Sequence, residues 1–262
     1  QLAPEALQNN ALLPLNDQRK QRLWTLMQRR ISKKIPSAYI TCETRFAGLP
    51  FYIDTRVLIP RSPMAELIED EFKPWIASME NASVLELGTG SGCIALATAV
   101  HNPGAQVLAV DIDPEALRVA QINLQKFALQ QRVKFILSDW FAGIEAQSFD
   151  LIVSNPPYVP AASLQQLPAE YAPEPNKALA SGEDGLDAVL TILAQAHEFL
   201  KANGVLIVEV GEVAERLQDT FPAIAFTWLE FERGGEGVFL LEAQQLHQHK
   251  ELLQRTWQKR FT

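Results

Sequence analysis

Cysteine is close to absent: the 262 residues hold two, Cys42 and Cys93. That is too few to staple a fold, and their spacing matches no metal-ligand pair. Both are expected to be free thiols in a reducing compartment. No apolar run approaches the roughly 20 residues that cross a bilayer, and the opening QLAPEALQNN lacks the charged-then-apolar order of a secretion signal. Internal repeats and low-complexity tracts are missing too, which excludes solenoids and disordered linkers. Together these absences predict a soluble, cytoplasmic protein with no membrane partner. The 47% of hydrophobic residues is enough for a substantial core in one large domain with a smaller appendage.

Charge is plentiful but uneven. The formal net charge is −8, yet residues 1–61 carry 10 Lys+Arg against 4 Asp+Glu, a surplus of +6, and the rest carries 13 against 27, or −14. An acidic body repels nucleic acid and attracts basic protein, while the basic front could touch phosphates or simply be a solvated helix face. Within that front, residues 17–34 place Leu23, Leu26, Met27 and Ile31 at helical spacing among charges, which predicts a helix with one buried face. Pro36 ends it, and the stretches AYI and FYIDTRVLI, divided by Gly48 and Pro50, predict a β-hairpin.

Beyond residue 80 the pattern alternates. Apolar strands are expected at 84–87, 106–111, 133–137, 151–154 and 205–210, and helices near 92–101, 114–128 and 184–202. Such alternation builds a largely parallel sheet covered on both faces, an α/β fold. The segments FTWLEFE and GVFLLEA lie so close around residues 234–237 that only a hairpin joins them, so the sheet should finish with an antiparallel strand. Boundaries follow: a helical substrate-recognition domain at 1–36, a hairpin linker at 37–62, a catalytic domain at 63–242 and a polar helical tail at 243–262 to which no role is assigned.

Three constellations carry chemistry. In VLELGTGSG, residues 84–92, a strand meets a loop with glycines at 88, 90 and 92, where backbone can approach a ligand closely at the ligand-binding end of an α/β sheet. A dinucleotide site would need G-x-G-x-x-G to cradle a pyrophosphate. Here the spacing is G-x-G-x-G with Glu86 just before it, which suits a nucleoside cofactor that carries an amino acid. Glu86, Gly88, Thr89, Gly90, Ser91 and Gly92 are therefore candidate cofactor contacts. Asp111 ends the next strand at the distance where a carboxylate accepts ribose hydroxyls, whereas Asp113, just before Pro114, should cap a helix. In SDWF, Asp139 could accept an adenine amino group, and Trp140 could cover the ring or pack in the core. The third element is SNPPY, residues 154–158. A planar amide or base NH2 is a poor nucleophile until oriented, and the Asn155 oxygen and the Pro156 carbonyl can each accept one of its hydrogens. Pro156 and Pro157 stiffen the turn, and Tyr158 offers a flat face.

With these residues in order, the chain resembles the N(5)-glutamine methyltransferases that act on release factors and ribosomal proteins, over roughly residues 35–242. The resemblance implies a class I methyltransferase fold, Rossmann-like with a seven-stranded sheet, behind a small helical domain. It also implies S-adenosylmethionine held by residues 88–92, Asp111, Trp140 and Asn155, a target glutamine at residues 155–158, and in-line displacement driven by positioning without metal or covalent intermediate. VLIPRSPMAELIED and TWLEFERGGEGVFLL look like the branch that methylates large-subunit ribosomal protein L three, free or in an assembly intermediate, where the basic front could touch ribosomal RNA. Release-factor methylation is the alternative. Adenine methylation is disfavoured by the acidic body, and a non-enzymatic binding role leaves the intact NPPY unexplained. Arg61 and Ser62 lie at the domain junction, where they either contact substrate or tie the domains together.

Overall fold

A computed structural model describes residues 15–262; the N-terminal residues 1–14, part of the expected recognition domain, lie outside the described residues. Helix α1 (Asp17–Lys33) begins where Asn16 accepts the Arg19 N–H at 2.9 Å, and Pro36 leads into the one-turn α2 (Ser37–Thr41). The periodicity of α1 is as expected, but its burial is not. None of its residues is buried, and Leu23, Trp24, Met27 and Ile31 are exposed. Periodicity names a face, not the surface that covers it, and no described residue covers this one.

A hairpin does form within 37–62, from β1 (Glu43–Phe46) and β2 (Leu49–Tyr52), paired antiparallel; of the stretches expected to form it, AYI lies in α2 and FYIDTRVLI is strand only to Tyr52. After α3 (Met64–Glu69) the alternating part begins with β3 (Ser83–Leu87), α4 (Cys93–His101), β4 (Gln106–Asp111), α5 (Pro114–Phe127), β5 (Val133–Leu137) and β6 (Phe149–Ser154). It continues with α6 (Asp187–Gln195), β7 (Leu200–Glu209), α7 (Ala214–Thr220), β8 (Thr227–Trp228), β9 (Val238–Glu242) and α8 (Ala243–Phe261). The seven strands run β5-β4-β3-β6-β7-β9-β8, with β9 antiparallel to both its neighbours. The antiparallel finish is therefore as read from the sequence. The helix expected to reach residue 202 stops at Gln195, passes through a 3-10 turn, and gives way at Leu200 to a strand that pairs with Phe149.

Both faces of the sheet are covered, so its central strands are largely apolar, with Glu86 on β3 a buried exception. On β3, Val84 packs with α3 and α4, while Leu85 and Leu87 pack with α6 and α8. Strands β6 and β7 divide in the same way, Leu151, Val153, Val205 and Ile207 on one side and Ile152, Leu206 and Val208 on the other. The tail is part of this body: Leu246 and Leu253 of α8 are buried in the second cluster. Strand order reverses at β3, which has β4 on one side and β6 on the other. The crevice above such a switch point is where open α/β sheets bind ligands.

Candidate active site

A cavity of about 390 Å³ opens at that point. Its floor is the loop after β3. The Glu86 carboxylate, 1% exposed, accepts the Thr89 hydroxyl at 2.6 Å and the Ala95 N–H at 2.9 Å. It thus pins the loop to the first turn of α4. Burial pushes its carboxyl up to about 8, outweighing the two hydrogen bonds, which act in the lowering direction. Both Gly88 and Gly90 have positive φ, and a Cβ on either would meet nothing within 4 Å. The loop is bare backbone on its open side, as a ligand in close approach requires.

At the end of β4, Asp111 accepts the Gly90 N–H at 2.8 Å and the Asp113 N–H at 2.9 Å. Burial raises its carboxyl above the ordinary value. Asp113 caps α5 through the Glu115 N–H, as expected, and pairs with Lys177 at 2.5 Å. After β5 the Ser138 hydroxyl donates to the Trp140 carbonyl and accepts the Gly143 N–H, each at 2.8 Å. These bonds hold Trp140 at φ +48°, a left-handed conformation that a bulky residue adopts at a cost. The indole packs on the core and also lines the cavity.

Strand β6 delivers SNPPY to the same place. The Ser154 hydroxyl donates to the Leu87 carbonyl at 2.8 Å, which ties the ends of β6 and β3 together. Asn155 lines the cavity, and its side chain makes no hydrogen bond to another described residue. Its amide is thus available to a ligand.

The cavity wall includes Glu86, Gly88, Thr89, Gly90, Ser91, Asp111, Asp139, Trp140, Asn155 and Pro157. Three expected residues stand back from it. Gly92 starts α4 against Phe135 and Ala120. Pro156 is buried, and the Tyr158 hydroxyl lies 3.3 Å from the Glu209 carboxylate. Arg61 and Ser62, left open between two roles, both line the cavity and are both tied to the body: Arg61 forks onto Glu174 at 3.0 and 2.9 Å, and Ser62 donates to Glu209.

Several lining residues escaped the sequence reading. Ile112 is 63% exposed between two carboxylates, and an apolar residue in that position was a usable signal. Ala180–Gly182, Thr191 and Phe261 carried none, because they arrive from a loop, from the middle of α6 and from the end of α8, all distant in sequence. Phe261 reaches the rim because α8 is clamped there, its Arg260 bonded to Asp184 and Asp187 at 2.7 Å each.

This fold and this cavity define a class I methyltransferase. The family model described as a methyltransferase domain matches residues 78–258. A solved methyltransferase from Pyrococcus furiosus has the same fold, with a TM-score of 0.55 at 18% identity over 86% of this chain and 98% of that one. The curated relatives are more specific. One is the ribosomal protein uL3 glutamine methyltransferase of Francisella tularensis subsp. tularensis, 46% identical over 94% of this chain and 78% of its own length. Another, of the same description, is from Neisseria meningitidis serogroup A, 46% identical over 87% of this chain and 75% of its own. The chain belongs to the family of ribosomal protein uL3 glutamine methyltransferases.

Proposed function

We propose that this chain transfers the methyl group of S-adenosylmethionine to the side-chain amide nitrogen of a glutamine in ribosomal protein uL3. Its family supports the substrate. The observation that carries the chemistry is the unpartnered Asn155 amide, which shares one cavity with the open backbone of Gly88 and Gly90.

The residues present fit the cofactor. Carboxylates at Asp111 and Asp139 line the cavity beside the protonated carboxyl of Glu86, and its three cations are already committed: Arg56 to Asp54 at 2.6 Å, Arg61 to Glu174 at 2.9 Å and Lys177 to Asp113 at 2.5 Å. That balance favours a ligand with positive charge and no phosphate. S-adenosylmethionine supplies an electrophilic methyl group on a sulfonium. Glu86 and the 88–91 loop are assigned to its amino-acid part, Asp111 to the ribose, Asp139 and Trp140 to the adenine. Gly92 supports the loop from the start of α4.

The acceptor side is Asn155–Tyr158. The Asn155 oxygen and the Pro156 carbonyl take the two amide hydrogens, leaving the nitrogen lone pair free to point toward the donor. Pro156 and Pro157 hold the turn rigid, and Tyr158 supports the flat amide. Positioning of this kind accounts for most of the rate such a displacement needs.

For the partner, α1 is the second contact. Of its cations, Lys20 pairs with Asp17 and Arg30 with Glu170, whereas Arg19, Arg22, Arg29 and Lys33 make no ion pair among the described residues. Such a helix suits the phosphates of ribosomal RNA beside uL3 in a large-subunit assembly intermediate. The working compartment is then the cytoplasm, consistent with no described helix being long and apolar enough to cross a membrane. Deleting residues 1–34 should impair labelling of ribosomal particles more than labelling of free uL3. Equal impairment removes the RNA contact from the proposal.

A further inference from the structure

Glu209 belongs to none of the motifs above, yet it sits against one of them. It ends β7, whose Val208 pairs with Ser154 of β6, so Glu209 lies beside the start of the acceptor loop. Its carboxylate is buried, at 6% exposure, and makes no ion pair among the described residues. One oxygen accepts the Ser62 hydroxyl at 2.5 Å and the other lies 3.3 Å from the Tyr158 hydroxyl. A buried carboxylate without a cation is expensive to keep. Burial raises its carboxyl above the ordinary value, and an apolar or amide side chain of the same size would pack there at less cost.

The surroundings show what the carboxylate holds. Tyr158 lies against Gly211, where a Cβ would stand 2.7 Å from the ring. Gly211, at φ +49°, is kept in place by the Gly237 carbonyl, which accepts the N–H groups of Val210 and Gly211. The ring therefore has one slot, and Glu209 lies at its end. On the far side of the carboxylate, Ser62 also accepts the Met64 N–H at 3.2 Å. One residue earlier, Arg61 is locked to Glu174, whose carboxylate also takes the Ile59 N–H. The linker is thus fastened to the end of β7 and to the segment that follows SNPPY.

We propose that Glu209 is a positioning residue for methyl transfer: its carboxylate, shared by Ser62 of the linker and Tyr158 of the acceptor loop, fixes Tyr158 and thereby the geometry of Asn155 and Pro156. This rests on the glutamine-methylating reading above. It gives Ser62 of the linker a task, which is to brace the acceptor loop from the wall of the same cavity.

The test is a double-mutant cycle on full-length enzyme with uL3 and labelled S-adenosylmethionine, using Glu209→Leu and Tyr158→Phe. Either single change should lower kcat by about 10- to 100-fold, the scale of a misplaced reacting group. The cofactor Kd should stay within about twofold, and the Tm of the leucine variant should not fall in step with its activity. In the Tyr158→Phe background, Glu209→Leu should cost less than about threefold more, because the tyrosine through which it acts is already disconnected. Ser62→Ala should lower kcat in the same direction by less. Should Glu209→Leu fail to fold, Glu209→Gln takes its place in the cycle, with the same non-additivity at smaller amplitude. Equal losses in both backgrounds overturn the proposal, as does a loss of cofactor affinity that accounts for the fall in kcat. A wild-type enzyme that methylates no glutamine overturns the parent reading and this one together; a wild type that does so, with additive losses, overturns this one alone.

Discussion

Replacing Glu86 by glutamine isolates one consequence of the site's construction. The carboxyl is 1% exposed and pushed from its ordinary 4.5 to about 8 by burial. Its two donors, the Thr89 hydroxyl and the Ala95 N–H, both use the same oxygen, which a glutamine carbonyl reproduces. The substitution therefore removes the titration and keeps the contacts. Between pH 4.5 and 8 the native chain holds a proton that the unfolded chain has released, so stability falls as pH rises across that window and levels off above it. At about 1.4 kcal/mol per pH unit, the full window is worth on the order of 5 kcal/mol as an upper bound. The part between pH 6 and 8.5 is about 3. Urea unfolding of wild type and Glu86→Gln without cofactor should give curves that diverge by up to that amount in favour of the variant as pH rises. Cofactor binding to wild type near pH 7 should release protons, since a cationic ligand favours the carboxylate, and calorimetry in buffers of different ionisation enthalpy would detect the release. Parallel stability profiles for the two proteins would refute the assignment of a buried, largely protonated Glu86.

Other expectations concern affinity, rate and the tail. Asp111→Ala should raise the cofactor Kd by about 10- to 100-fold, because it removes charge-assisted bonds worth roughly 1.5–3 kcal/mol to the ribose and frees the Gly90 N–H that shapes the loop. Calorimetry showing wild-type affinity removes Asp111 from the cofactor site. Asn155→Ala should keep its circular dichroism and Tm while losing about 100-fold in single-turnover methyl transfer; a folded variant with near-normal turnover ends the amide-orienting role. Leu253→Ala, at a position 1% exposed in α8, should cost about 2–5 kcal/mol. A change below about 1 kcal/mol in chemical denaturation would mean that the tail is not docked as described.

What was legible in the sequence was local. Strands β3, β4 and β6 could be read because both their faces are buried, which leaves short apolar runs that end in Gly88, Asp111 and Asn155. The Asp113–Pro114 cap marked the start of α5. Boundaries failed where two periods overlap. In AHEFLKANG the apolar residues suit a helix as well as a strand, and only pairing of Leu200 with Phe149 decides the matter. The apolar stripe of α1 was visible, but its exposure was not. Contacts between distant positions were out of reach: Arg61 meets Glu174 113 residues later, Ser62 meets Glu209 147 residues later, and Phe261 lines a cavity founded on Gly88. The motif residues could be placed at one strand-end crevice from spacing alone. The side chains that brace them could not, because bracing depends on topology.

The most direct test of the central claim is competitive labelling. Purified enzyme, labelled S-adenosylmethionine, uL3 and release factors are combined at matched concentrations, and the modified residue is located by fragmentation mass spectrometry. The expected result is one methyl group on a glutamine side-chain amide of uL3, with little or none on the release factors. Release factors labelled at least as fast as uL3 would contradict the substrate, and a methyl group on any atom other than a glutamine amide would contradict the chemistry.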